Sequence, residues 1–171
     1  MTVISPAAVD AGTDIALCTG AYTHVPNVPT PSGGIWFGPG IIDSTTGEFD
    51  VQAAGIGAHT VYYSIGTGNC EVIDSLVITV NALPAISVSP GNPVICIGDS
   101  VQLSGMGAQS YVWSPATGLS ASSGNIVSAS PSATTIYTIT GTDSNGCVDS
   151  ASFTVTVNPL PVVIAGPDTT V

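Results

Sequence analysis

Four cysteines are the residues whose type and spacing could do covalent chemistry in this chain. Cys18 and Cys70 lie 52 positions apart, and Cys96 and Cys147 lie 51 apart. Four cysteines allow three pairings, and only Cys18–Cys70 with Cys96–Cys147 gives both halves of the chain the same pattern. A zinc site would need local Cys-x-x-Cys pairs or nearby histidines, and neither pair is local. Two disulfides are therefore expected, each closing a loop worth roughly 4 kcal/mol in the chain-entropy view. Such bonds place a protein in an oxidising compartment.

Other side chains offer less. His24 and His59 are the only histidines, and no Ser–His–Asp spacing or nucleophile elbow accompanies them. Asp43, Glu48 and Asp50 crowd one short segment, whereas glycoside hydrolysis needs two carboxylates facing each other across a cleft. No catalytic residue is expected. Calcium takes Asp, Asn and carbonyl oxygens, so Asp10, Asp14, Asp99, Asp143, Asn145 and Asp168 are its candidate ligands. Asp10, Asp14, Asp99 and Asp168 fall near expected module junctions, where structural calcium could stiffen a rod. No other cofactor is indicated. Tyr22, Phe37 and Tyr63 have no counterpart in the second half, which makes them the candidates for an exposed, ligand-binding surface.

Charge narrows the partners. There is no Lys or Arg against 11 Asp plus Glu, a formal net charge of −11. Binding nucleic acid requires cations to neutralise phosphate, and an anionic membrane surface makes the same demand. Neither is an expected partner. No run approaches the length of an apolar membrane span, so direct membrane insertion is not expected.

The elements that must position these residues are written twice. Ile78-Thr-Val-Asn-Ala-Leu-Pro84 returns 77 positions later as Val155-Thr-Val-Asn-Pro-Leu-Pro161. Trp36 and Trp113 are also 77 apart, Cys18 and Cys96 are 78 apart, and Tyr62 and Tyr137 are 75 apart. Periodic segments alternate with period two: Leu76, Ile78 and Val80 share one face, as do Phe153, Val155 and Val157. Gly and Pro interrupt almost every window long enough for a helix, so none is expected. Short strands between Gly-, Pro-, Asn- and Ser-rich turns indicate a β-sandwich. The expected organisation is repeat 1 over 1–84, repeat 2 over 85–161, and the first strand of a truncated third repeat, or a linker, over 162–171, which echoes 8–17. Trp36 and Trp113, one per module, are expected in the two cores. The prolines of the Leu-Pro tails should stiffen the linkers into a semi-rigid rod.

A closer likeness rests on Cys96-Ile-Gly-Asp-Ser-Val-Gln-Leu103, Tyr111-Val-Trp-Ser-Pro-Ala-Thr-Gly-Leu119, Thr135-Ile-Tyr-Thr-Ile-Thr-Gly-Thr-Asp-Ser-Asn-Gly-Cys147 and Val155-Thr-Val-Asn-Pro-Leu-Pro161. With Gly33-Gly-Ile-Trp-Phe-Gly-Pro-Gly40, these resemble the tandem Ig-like or PKD-like repeats of very large Bacteroidota surface proteins. The resemblance implies export by the type IX system, a bacterial cell-surface location, and a part in adhesion or gliding motility. The fold class expected is all-β: tandem immunoglobulin-like β-sandwich modules, each with one internal disulfide. The function expected is a stalk or filament segment whose partners are adjacent repeats. The alternatives are a carbohydrate-binding or spacer module of a secreted polysaccharide-degrading enzyme, with glycans as partners, and a self-assembling filament subunit that pairs with neighbouring chains.

Overall fold

The computed structural model describes residues 8–20 and 22–162. The chain divides into two compact units, Met1–Leu83 and Pro84–Val171. Apart from Val162, the expected start of a third repeat lies outside the described residues.

In the first unit, β1 (Ile15–Cys18), β3 (Ile35–Phe37), β6 (Gly57–Ile65) and β7 (Val72–Asn81) form one sheet in the order β1-β7-β6-β3. The second sheet is β2 (Thr23–His24), β5 (Glu48–Asp50) and β4 (Ile41–Asp43), in the order β2-β5-β4. Period-two alternation decides which residues meet between them. Leu76, Ile78 and Val80 of β7 turn inward with Val61 and Tyr63 of β6, Trp36 of β3 and Phe49 of β5. Burying each such aliphatic or aromatic side chain is worth about 1.5–3 kcal/mol.

The second unit repeats the four-stranded sheet and differs in the order of the three-stranded one. Its four-stranded sheet is β11 (Ser110–Ser114), β13 (Thr135–Thr142), β14 (Val148–Asn158) and β9 (Val94–Cys96), in that order. Against it stand β12 (Ile126–Ala129), β10 (Val101–Met106) and β8 (Ser87–Ser89). Trp113, Leu103, Val127, Tyr137, Ile139 and Val155 form the centre of its core. Both tryptophans are core residues, 2% exposed at Trp36 and 1% at Trp113. The Trp113 indole N–H donates to the Gly124 carbonyl at 2.7 Å, which satisfies its polar handle inside the core.

Three expectations need correction. One helical turn does form, α1 (Val51–Ala54): Asp50 Oδ1 accepts from the Ala53 N–H at 2.9 Å, and Gly55 ends it at φ 77°. The run Gln52-Ala-Ala54 favours a helix, and the cap and the glycine confine it to one turn. Tyr62 and Tyr137 are not equivalent. Trp36 pairs with Tyr63, and Trp113 pairs with Ile139, so the position matching Tyr137 is Val61. A one-residue slip reverses the face of a strand: Tyr62 is 38% exposed, whereas Tyr137 is fully buried.

The third correction concerns the disulfides. Cys18 and Cys147 are disulfide-bonded, but Cys70 and Cys96 are exposed free thiols. Pairing within each copy is therefore not what the fold makes. Register gives the reason. Cys18 ends β1, which runs parallel to β7 and sets it opposite Asn81, the last residue of that strand. Cys70 sits in the 3-10 turn Gly68–Cys70, two positions before β7 begins. At about 3.3 Å per residue the 10-residue strand holds them about 30 Å apart, while a disulfide needs Cα atoms within about 7 Å. Cys96 lies opposite Asn158 at the far end of β14, and Cys147 immediately precedes that strand's start. Each copy thus carries one cysteine at each end of its sandwich.

Candidate functional site

The first unit carries a cleft of about 550 Å³ that the repeat plan does not require. Its floor is Trp36 and Tyr63, and its apolar wall is the segment Val25, Pro26, Val28 and Pro29. Tyr63 shapes the floor. Its hydroxyl accepts from the Gly34 N–H at 2.6 Å and donates to the Pro31 carbonyl at 2.9 Å, which pins the Pro-rich loop to β6. Gly34 has to be glycine here, because a Cβ would meet the Ser64 carbonyl and stand 2.6 Å from the Tyr63 ring. Val25 and Val28 remain exposed, Val28 to 84%.

The rim is polar and neutral in character. Thr45 and Thr46 line it, and both are held by Asp43. Asp43 Oδ1 accepts from the Thr45 hydroxyl at 2.6 Å, the Thr45 N–H at 2.7 Å and the Thr46 N–H at 3.3 Å. Those bonds, the Thr45 hydroxyl first, hold the Asp43 carboxyl below its usual range. Such a cleft suits an uncharged ligand with an apolar face. It does not present Trp36 as a flat stacking platform, since that ring is buried.

The candidate ligand residues from the sequence do not come together. Tyr63 is 1% exposed and belongs to the core and the cleft floor, not to an outer surface. Phe37 is exposed and stacks on Tyr62 with centroids 5.3 Å apart, on the opposite face of the sheet from Trp36. Tyr22 is exposed, and its hydroxyl donates to the Cys18 carbonyl at 2.6 Å. The cleft wall went unforeseen because Val25-Pro-Asn-Val-Pro29 has no period to read. Its one sequence signal is apolar residues alternating with prolines in a stretch that the second copy lacks.

Asp143, Asp14 and Asp10 each have a carboxylate oxygen bonded to backbone N–H groups. Asp143 Oδ1 accepts from the Asn145 and Cys147 N–H groups, both at 2.8 Å, closing its own turn. Asp14 Oδ1 accepts from the Val77 N–H at 2.9 Å, and Asp10 Oδ1 from the Gly12 N–H at 2.8 Å. The Asp99 N–H donates to the Cys96 carbonyl at 3.0 Å. Asp168 lies outside the described residues. Among the described residues no three His, Cys, Asp or Glu side chains converge. Asp74, not singled out from sequence, has the more structural part: it accepts the N–H of fully buried Ala11 at 2.8 Å. That bond, followed by one from Ser75, lowers its pKa. Glu48 accepts the Thr23 hydroxyl at 2.7 Å, and Asp50 caps α1. His59 faces inward beside Phe49, with Nε2 2.9 Å from the Gly55 carbonyl oxygen.

No protein-family profile matches the chain, and no curated protein does. Among solved structures it is similar to the N-terminal four Ig domains of Dscam1 isoform 9.44, at 12% identity and a TM-score of 0.36, over 91% of this chain and 47% of that one. The insect immune protein hemolin gives 17% identity and 0.39, over 88% of this chain and 46% of that one. The I-band fragment I67–I69 from titin gives 12% and 0.45, over 92% and 67%. This chain spans about half the length of the first two.

Proposed function

We propose that this chain is a structural segment of a long extracellular repeat protein, a stalk made of immunoglobulin-like modules. The observation that supports it most is the duplication itself. Two sandwiches share the order of the four-stranded sheet, an early strand running parallel to the last one, a buried Trp and a cysteine at each end. What recurs is what a fold and its connections need, and a stalk needs little else. That Cys18 and Cys147 are each disulfide-bonded supports an oxidising, extracellular setting. A bacterial cell surface, type IX export and service in adhesion or gliding rest on the sequence resemblance alone. No described helix is long and apolar enough to cross a membrane.

The cleft of the first unit favours a second reading, a ligand-binding module for neutral glycans or other uncharged chains. Calorimetric titration with a panel of neutral oligosaccharides and proline-rich peptides separates the two. The stalk reading expects no saturable heat. Tight, saturable binding that Val28→Asp abolishes would move the function to the cleft.

A further inference from the structure

The cleft of the first unit lies where the second unit has a covering segment. In the second unit β11 is the edge of its four-stranded sheet, and residues 122–124 run antiparallel along it, with Val112 opposite Ser123. The Trp113 N–H donates to the Ser122 carbonyl at 2.9 Å, and the Gly124 N–H donates to the Tyr111 carbonyl at 3.1 Å. The matching edge of the first unit is β3, where Gly34, Ile35 and Trp36 stand 77 positions before Tyr111, Val112 and Trp113. There the first bond is kept, from the Trp36 N–H to the Ser44 carbonyl at 2.7 Å. Gly47, 77 positions before Gly124, turns away instead: its N–H donates to the Asp43 carbonyl at 2.9 Å. Thr45 and Thr46 turn with it, and both of their N–H groups go to Asp43 Oδ1. The edge that residues 122–124 cover in the second unit is therefore open in the first, and Gly34, Ile35 and Trp36 line the cleft.

We propose that this slot takes an extended peptide of a partner protein, added to β3 as a further strand. The inference rests on the second reading above, that the cleft binds an uncharged chain, and it names that chain. A strand added to a sheet edge is held by main-chain hydrogen bonds and selected by the pockets that its alternate side chains enter. A peptide N–H meets the Gly34 carbonyl as the Gly124 N–H meets that of Tyr111. The peptide side chains on the Trp36 side enter the cleft of about 550 Å³, whose wall of Val25, Pro26, Val28 and Pro29 suits aliphatic or aromatic residues.

The rim favours a peptide over a sugar. The Thr45 hydroxyl and the N–H groups of Thr45 and Thr46 are already bonded to Asp43, so a ring of sugar hydroxyls finds little there to pair with. An added strand brings its own regular donors and acceptors to the sheet edge. With no Lys or Arg against 11 Asp plus Glu, the chain repels an acidic peptide, so the peptide is neutral or basic.

The probes are capped hexapeptides with Val, Leu, Ile or Phe at alternate positions between serines, titrated calorimetrically into the full chain. At least one should bind saturably, and Val28→Asp, a change at a side chain 84% exposed and outside the core, should abolish the binding. The best binder is then N-methylated at alternate backbone nitrogens in two versions of opposite parity. Alternate N–H groups of an added strand face the sheet edge, so one version should lose about tenfold in affinity or more and the other should keep it. Equal loss in both versions, or loss in neither, would overturn strand addition and leave the cleft reading standing. Saturable binding of a neutral oligosaccharide with none of the peptides would do the same. No saturable heat from peptides and oligosaccharides alike would overturn both.

Discussion

Trp113→Ala should unfold the second unit about 3–5 kcal/mol more easily while leaving the first unit's transition where it was. The ring is 1% exposed, packs edge-on against Phe153 with centroids 6.1 Å apart, and donates to the Gly124 carbonyl. Truncation removes that apolar area, opens a cavity between the two sheets, and leaves a carbonyl without its donor. Large-to-small changes at such sites cost that much because the surroundings relax only partly. The locality is as informative as the size. The buried residues form two clusters, Trp113 in one and Trp36 in the other, so thermal unfolding should separate into two steps. A single cooperative transition lowered as a whole would contradict autonomous modules.

Gly47→Ala should destabilise the first unit by about 2–4 kcal/mol for the opposite reason, crowding instead of loss. Gly47 sits at φ 76°, a left-handed conformation that costs a residue with a Cβ about 1–2 kcal/mol. The added methyl would also stand 2.8 Å from Cδ1 and Nε1 of the Trp36 indole. Overpacking a closed core typically costs a further 1–3 kcal/mol. Because the crowding falls on the Trp36 indole, Trp36→Phe in the same chain should relieve part of it. The double variant would then be less destabilised than the sum of the two singles. Strict additivity, measured by denaturant titration, would show that the indole is not what Gly47 supports.

The strands and the cores were legible because alternation with period two marks an inward face directly. Leu76, Ile78 and Val80 turned inward as read, and Phe153 and Val155 did likewise. The match of Tyr62 to Tyr137 failed by one position. The eye aligns identical residues, but a strand only respects parity, and the offset between β6 and β13 is 76. The cysteine pairing failed for a different reason. Repeat symmetry identifies which cysteines are equivalent, and it is silent on which end of the sheet each one occupies. That depends on β1 running parallel to β7, and on β9 running parallel to β14, long-range pairings that leave no mark on local pattern. Within the candidate site, Tyr63 was noticed as unique to the first copy. Its burial could be read only once its cross-strand partner was known to be Trp36.

Pulling single molecules by their termini under reductant tests most directly the claim that the chain is two autonomous modules. Two separate unfolding events are expected, one for each module, and Trp113→Ala should lower the force of one event and leave the other unchanged. A single event that releases both modules together would contradict the account.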